Sequence, residues 1–406
     1  MDAFAKCGVR PSGSEAQASA LGAHHRVLQS GPGAEVVVDG RRMVMLGGSD
    51  FLGLAAEPQV RCAAAEAVVL WGPGGAGSPL DGALGLQREL ERRLAGFLQR
   101  EAALVYGSGY LAAMGVVSTL ARGGEVVVVD RPANAGILDG CRLSGAEVRR
   151  FRRDVPGDLE RVLDSCAGAG ALVVVEGTHP LHGELAPLPR IVQACRGHGV
   201  RVVVDDAQGV GVLGPHGRGA AEQLGVEDEV DVIVGATGAA IAGPGGFVAA
   251  SRSVVEHLRH ARADRPFLFA PSPPPAALAA ALASLDLVET EPGLRARLWN
   301  VALRVHRALG ELGFELAAEP SPVVALPVGT VERALEAWRA LDAEGLYVNV
   351  VLPPAVPARG CLIRLALSAS LTEAHVERLV GALARTGPRL GLLGPAAGRA
   401  AARSAG

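Results

Sequence analysis

The stretch that decides the fold is residues 202–211, which reads VVVDDAQGVG. An apolar, β-branched run that ends in acids and a glycine-rich turn is typical of a strand buried on both faces. Similar runs recur along the chain and alternate with segments of helical periodicity. They predict strands at residues 102–106, 125–130, 171–176, 200–205, 231–235 and 246–250. This alternation predicts an α/β fold with a mostly parallel sheet and helices on both faces.

The composition limits the class of protein. Of 406 residues, 20% are charged and the net charge is −3, so nothing favours a nucleic-acid or membrane partner. No apolar run of about 18 residues and no signal-like N-terminus is present, which predicts a cytoplasmic protein. The six cysteines show no metal-ligand spacing, so we expect reduced thiols and no metal site. Lys6 is the only lysine in the chain.

The domain organisation follows from breaks in these patterns. We predict an N-terminal arm over residues 1–48, a large α/β domain over 49–290, a small α+β domain over 291–390 and a disordered tail over 391–406. A proline-rich run at residues 271–275 lies near the first domain's end. The small domain is predicted to contain helices at 295–312, 331–341 and 372–383, with strands at 322–327, 346–351 and 361–367.

Candidate site residues follow the predicted strands, because open α/β sheets bind ligands at the carboxyl ends of their strands. Asp205 and Asp206 predict either a carboxylate pair suited to base chemistry or acids that cap backbone groups or pair with an arginine. His179 and His182 predict a general base, a metal ligand or ordinary loop histidines. Arg364 predicts a carboxylate or phosphate clamp, or a structural ion pair.

Five motifs, in the same order along the chain, resemble the α-oxoamine synthases, a family of pyridoxal-phosphate (PLP) enzymes. They are SDFLGL at 49–54, SGYLA at 108–112, DGCRLSG at 139–145, DDAQGVGVLG at 205–214 with GRG at 217–219, and PPAVP at 353–357. The resemblance covers residues 45–385. It implies the fold-type I PLP-transferase architecture, with a large domain, a smaller C-terminal domain and a dimeric assembly.

The resemblance also implies roles for particular positions. In the family a lysine forms an imine with PLP, an aspartate meets the ring nitrogen, a histidine stacks on the ring and an arginine grips the amino acid's carboxylate. The aspartate and the arginine match Asp205 and Arg364. The lysine position is Ala239, the stacking histidine is Asn134, and another histidine of the family is Gln208.

These departures predict a change of function. Lys6 lies before the matched region, so we expect no PLP and no other cofactor. The predicted activity is a PLP-independent acyltransferase, a homodimer that moves an acyl group from a CoA or carrier-protein thioester to an amine or hydroxyl. The alternative is a non-catalytic subunit that partners a PLP-dependent α-oxoamine synthase. The predicted catalytic residues are Asp205, His182 and His179, and the predicted substrate-binding residues are Arg364, Asn134, Gln208, Ser108 and Thr237.

Overall fold

The computed structural model describes residues 4, 22–23, 25–75, 77–261 and 264–394. Lys6, residues 1–3, 5–21 and 24 of the predicted arm, and residues 395–406 of the predicted tail lie outside these residues. The chain divides into two compact units. The smaller unit takes in the N-terminal residues to Gly53, residues 180–184 and the chain from Arg297 onward, and the larger unit contains the rest.

The larger unit is built on a seven-stranded sheet. Its strands are β3 (Ala102–Tyr106), β4 (Val126–Asp130), β5 (Glu147–Phe151), β6 (Ala171–Glu176), β7 (Arg201–Asp205), β8 (Val232–Ala236) and β9 (Gly246–Ala250). Their order across the sheet is β3-β9-β8-β7-β6-β4-β5. Six strands run parallel, and β9 lies antiparallel between β3 and β8. The central strands are valine-rich and buried along almost their whole length, as expected for strands covered on both faces.

Helices connect these strands and cover the sheet. They are α1 (Pro58–Trp71), α2 (Gly85–Phe97), α3 (Gly109–Leu120), α4 (Ala135–Ser144), α5 (Asp158–Asp164), α6 (Leu188–His198), α7 (Ala220–Gln223), α8 (Arg252–His260), α9 (Arg265–Leu268) and α10 (Pro275–Thr290). Two of these helices begin beside the carboxyl edge of the sheet with a side-chain cap. Ser108 Oγ accepts from Leu111 N at the start of α3, and Asn134 Oδ1 accepts from Ile137 N at the start of α4.

The smaller unit contains two three-stranded sheets. Their strands are β1 (Glu35–Val38), β2 (Arg41–Met45), β10 (Val323–Gly329), β11 (Leu346–Tyr347), β12 (Asn349–Val351) and β13 (Cys361–Ala366). The strand orders are β1-β2-β11 in one sheet and β10-β13-β12 in the other. The helices that complete it are α11 (Pro292–Glu311), which begins in the larger unit, α12 (Val331–Ala343) and α13 (Glu373–Leu390). Their apolar sides form one core with the strands.

The predicted α/β fold with a mostly parallel sheet is confirmed, and three local predictions differ from the structure. Residues 35–45, predicted as part of an arm, form a hairpin whose Asp39-Gly40 turn has positive φ at both positions. β5 was not predicted because it is a mostly exposed edge strand with charged side chains. The predicted strand 346–351 is two strands that join different sheets.

Candidate functional site

Three neighbouring parallel strands of the larger unit end in buried acids. β4 ends at Asp130, β6 at Glu176 and β7 at Asp205, and all three side chains are buried. Glu176 and Asp205 are paired across β6 and β7 in register, so their side chains leave the same face of the sheet at the same level. Two carboxyl groups therefore lie side by side at the edge where open α/β sheets bind ligands.

Asn134 joins these two acids. Its side-chain amide donates to Asp205 Oδ2 at 2.8 Å and to Glu176 Oε1 at 3.1 Å, while its oxygen caps α4. Asp205 Oδ1 also accepts from Ala207 N at 3.3 Å. Glu176 Oε2 is buried and has no hydrogen-bond partner. Asn134 is thus held at both ends of its amide, and Asp205 receives more donors than Glu176.

Burial governs the protonation of this cluster. It raises the pKa of Asp205, and the donors Asn134 and Ala207 N oppose the rise. Burial and then the charge of Asp205 raise the pKa of Glu176 to about 8. Arg153 partly offsets that rise, but Arg153 is itself ion-paired with the buried Asp130. The site therefore holds closely spaced acids whose charges are interdependent.

Of the roles predicted for Asp206, the structure shows the bonding of backbone groups and not the carboxylate pair. Its Oδ2 accepts from Ala220 N at 2.6 Å, and three glycines enclose its carboxylate. A Cβ at Gly177, Gly209 or Gly219 would lie 2.6, 2.1 or 1.9 Å from an Asp206 oxygen. The predicted Asp205–Asp206 pair is therefore not what the structure forms: Asp206 holds the glycine-rich turn, and Asp205 is linked to Glu176. Burial raises the pKa of Asp206 to about 7.

The loops after β3 and β8 meet beside this cluster. A Cβ on Gly109, the first residue of α3, would lie 2.8 Å from the Ala236 methyl group. The hydroxyl groups of Ser108 and Thr237 are engaged locally, since Ser108 caps α3 and Thr237 Oγ1 donates to Gly243 O at 2.9 Å. Helix α3 begins here, and the first amides of a helix attract anions.

Ala239, at the position of the family's lysine, is a buried methyl group in the loop that follows β8. Gln208 and His179 also lie in the larger unit. Gln208 is half-buried, and its Oε1 has no hydrogen-bond partner among the described residues, while His179 is buried and has an interaction partner. His182 lies in the smaller unit, where it is half-buried and also has an interaction partner.

Arg364 lies on β13 of the smaller unit and is buried. Its Nε donates to Pro180 O at 2.8 Å, and its Nη1 donates to Asn349 Oδ1 at 3.3 Å. Burial lowers its pKa to about 10, so the guanidinium is charged at neutral pH. Among the residues that the structure describes, no carboxylate forms an ion pair with it. The structural ion pair is therefore not formed among the described residues, and the carboxylate or phosphate clamp stays a prediction.

Two classes of site are not found in the part of the chain that the structure describes. No group of three or more His, Cys, Asp and Glu side chains is arranged to hold a metal ion. None of the described helices combines the length and the apolar character that crossing a bilayer requires.

Comparisons with known proteins define the family. The sequence profile of the aminotransferase class I and II family matches residues 41–383. The 8-amino-7-oxononanoate synthase of Geobacter sulfurreducens is 44% identical over 372 residues, covering 91% of this chain and 95% of the relative. That of Anaeromyxobacter dehalogenans strain 2CP-1 is 42% identical over 387 residues, covering 94% and 97%.

Solved structures agree with these relatives. Serine palmitoyltransferase of Sphingomonas wittichii superimposes with a TM-score of 0.91 at 32% identity, covering 97% of this chain and 100% of that one. A lysine-to-alanine variant of serine palmitoyltransferase from S. paucimobilis, described with a bound PLP–myriocin aldimine, gives the same score and coverage at 34% identity. The chain is thus a fold-type I PLP-transferase by architecture. It belongs to the class I and II aminotransferase family and, within it, to the α-oxoamine synthases.

Two predictions from the sequence are wrong in the light of these relatives. The functions predicted were a PLP-independent acyltransferase and a non-catalytic subunit, and the cofactor prediction was none. Relatives matched over nearly their whole length are synthases and transferases, and solved examples carry PLP. The error was to treat the loss of the lysine as the loss of the cofactor. A covalent bond and a noncovalent pocket are separate contributions, and only the first depends on the lysine.

The residues present fit PLP only in part. Asp205 is a buried acid at the position that meets the ring nitrogen, and α3 begins at the same edge of the sheet. Ala239 does not fit covalent attachment, because a methyl group cannot form an imine. Asn134 does not fit the stacking role, because its amide is directed to the two carboxylates. We therefore assign no reaction step through the cofactor.

Glu176 is the site residue that was not predicted. From the sequence, Glu176 is only the last residue of the predicted strand 171–176. The signal was present, since Glu176 is a charged residue that ends an otherwise apolar run, as Asp130 and Asp205 do. Three such endings on strands that become neighbours are what bring the acids together.

Proposed function

We propose that this chain is a transferase of the α-oxoamine synthase type that binds PLP without a covalent bond. Asp205 would meet the ring nitrogen, and the amides at the start of α3 would attract the phosphate. The observation that carries the proposal is Asp205 itself, an acid that remains buried at the ring-nitrogen position although the lysine position is Ala239. A buried carboxylate is costly unless a cation or several donors meet it, and a protonated pyridine ring is such a cation.

The solved lysine-to-alanine variant of serine palmitoyltransferase supports this proposal. That variant has an alanine in place of a lysine, and it holds PLP joined to myriocin as an aldimine. By analogy, PLP would reach this chain already joined to an amino compound. When bound, PLP supplies an electron sink that stabilises negative charge on the carbon next to that nitrogen.

The substrates that we propose are an amino acid and an acyl thioester of CoA or a carrier protein. Arg364 supports the first, because its buried guanidinium pairs with no carboxylate among the described residues and fits a carboxylate in a bidentate manner. The name serine palmitoyltransferase supports the second, since it describes transfer of an acyl group to an amino acid. We also propose a homodimer, which light scattering would test.

Reversible and covalent binding of PLP can be separated by restoring the lysine. We expect the wild-type protein to bind PLP in equilibrium dialysis and to lose it when PLP is removed from the buffer. Ala239→Lys is expected to retain PLP, with an absorbance band that dialysis does not remove and a mass increase after borohydride reduction. Arg92→Lys, which adds a lysine at an exposed position, is the matched control and is expected to behave as the wild type.

Asp205→Asn tests the residue that carries the proposal. We expect it to weaken PLP binding at least about tenfold, since it removes a charged partner of the ring. No binding by the wild type, or equal binding by wild type and Asp205→Asn, would refute noncovalent binding at this position.

A further inference from the structure

The cluster of Asn134, Glu176 and Asp205 contains more acid than the site needs. One carboxylate suffices to meet a ring nitrogen, yet two are paired in register and joined by one amide. Two ionised carboxylates that share one amide donor in a buried environment repel each other strongly, so one of them tends to keep a proton. The question is which of the two keeps it.

The hydrogen bonds decide the location of the proton. Asp205 accepts from Asn134 at 2.8 Å and from Ala207 N at 3.3 Å, and both donors favour its ionised form. Glu176 accepts one longer bond of 3.1 Å, and its second oxygen has no partner. That oxygen is where a proton can sit without displacing a donor. The ionised form is therefore better stabilised on Asp205 than on Glu176.

The other charged groups around the pair do not reverse this order. Arg153, which follows β5, attracts the charge of Glu176, but Asp130 on β4 is ion-paired with Arg153 and acts in the opposite direction. Burial is the main cause of the raised pKa of Asp206, which follows β7, and the charge of Asp205 adds to it. The net surroundings of Glu176 therefore favour its neutral form.

We propose that Glu176 is a positioning residue that keeps the single proton of the pair, so that Asp205 stays ionised at neutral pH. Asn134 holds the two carboxyl groups in that arrangement. In the family the position of Asn134 is a histidine that stacks on the cofactor, whereas here the amide of Asn134 donates to the two acids. This inference deepens the proposed function, because an ionised Asp205 is what a protonated ring requires, but the proton itself is tested without PLP.

Infrared spectroscopy of the cofactor-free protein reports the proton directly. A neutral carboxylic acid has a carbonyl stretch that an ionised carboxylate lacks. In the wild type we expect this band at about pH 7.5 and its loss by about pH 9.5. Glu176→Gln is expected to lack the part of the band that titrates near pH 8, whereas the smaller part from Asp206, whose pKa is raised to about 7, remains. Asp264→Asn is the matched control, because Asp264 is a buried acid elsewhere in the same unit whose pKa is raised to only about 6, and it is expected to keep the band.

Asp205→Asn gives a second, opposite signature. Removing the charge of Asp205 removes one cause of the raised proton affinity of Glu176, so the band should disappear at a lower pH than in the wild type. If Glu176→Gln does not fold, the wild type labelled with ¹³C in the side-chain carboxyl of glutamate replaces it. The band must then move with that label and not with labelled aspartate.

Measurements of PLP binding separate this inference from the proposed function. At about pH 7.5 Glu176→Gln should bind PLP within about twofold of the wild type, because both side chains are neutral, while Asp205→Asn binds at least about tenfold more weakly. The reverse order would overturn the inference, as would a band titrating near pH 8 that persists in Glu176→Gln or a wild type without such a band. If nothing binds PLP but the infrared results hold, the proposed function fails and the proton assignment stands.

Discussion

Replacing Glu176 by glutamine should make the stability of this protein less dependent on pH. Glutamine keeps an oxygen for the Asn134 amide but cannot ionise. The pKa of Glu176 is raised from 4.5 to about 8 in the folded chain, by burial first and by Asp205 second. Below the lower value the group contributes its full stability, and that stability is lost as the pH rises through about 8.

The size of the effect follows from the two pKa values. Their difference, at about 1.4 kcal/mol for each pH unit, gives an upper bound of about 5 kcal/mol for this one group. The wild type should lose free energy of unfolding as the pH rises from about 4.5 to about 8, and the part of that loss due to Glu176 should be missing in Glu176→Gln. The variant is expected to be within about 1 kcal/mol of the wild type near pH 4.5 and up to about 5 kcal/mol more stable at pH 9, with about 3 kcal/mol of that difference developing between pH 6 and pH 9.

Urea unfolding of the cofactor-free protein at a series of pH values measures this difference. Asp264→Asn is again the control, because Asp264 titrates near pH 6 and should leave the slope between pH 7 and pH 9 unchanged. Glu176→Gln and wild-type curves that fall in parallel from pH 6 to pH 9 would show that Glu176 is ionised throughout. The reasoning on the shared proton would then be wrong.

Three further changes test other contacts. Tyr106→Phe removes the 2.6 Å bond that its hydroxyl donates to Asp264, and its destabilisation of about 1–3 kcal/mol should be larger at pH 8 than at pH 5, because Asp264 ionises near pH 6. Gly183→Ala should destabilise by about 2 kcal/mol or more in urea, since φ is +78° and its Cβ would lie 2.2 Å from Ser321 Oγ. Arg364→Met should change stability by less than about 1 kcal/mol while abolishing saturable binding of amino acid carboxylates in calorimetry, because a buried guanidinium without a carboxylate adds little to stability.

The sheet and its functional edge could be predicted because both depend on local signals. Runs such as residues 202–204 have one stable environment, a strand covered on both faces, and the residue that ends such a run lies at the edge of the sheet. Asp205 is predicted at this edge for that reason, whereas Asn134 is identified only by the family resemblance. The edge strand β5 was not, because one-sided pairing allows charged residues such as Arg149 and Arg150 that obscure the strand pattern.

The pairing of the acids could not be predicted, because it depends on strand order and register. From the sequence, Asp206 is the obvious partner for Asp205, since the two are adjacent in the chain. In a strand, however, adjacent side chains point to opposite faces, and the neighbour on the same face comes from the next strand. That neighbour is Glu176, which lies 29 residues earlier in the chain and becomes a neighbour only when β6 and β7 pair.

The cofactor prediction failed for a different reason, which also explains what the site retains. Ala239 shows that the covalent bond is lost, but a methyl group in a loop requires no compensating group in the rest of the pocket. Buried charges do require one, since each lowers stability unless an opposite charge or several hydrogen-bond partners meet it. Asp205 and Arg364 are both buried without an opposite charge among the described residues, and Glu176 adds a second acid at further cost. Charges held at that cost support the proposed function, in which a cation would meet Asp205 and a carboxylate would meet Arg364.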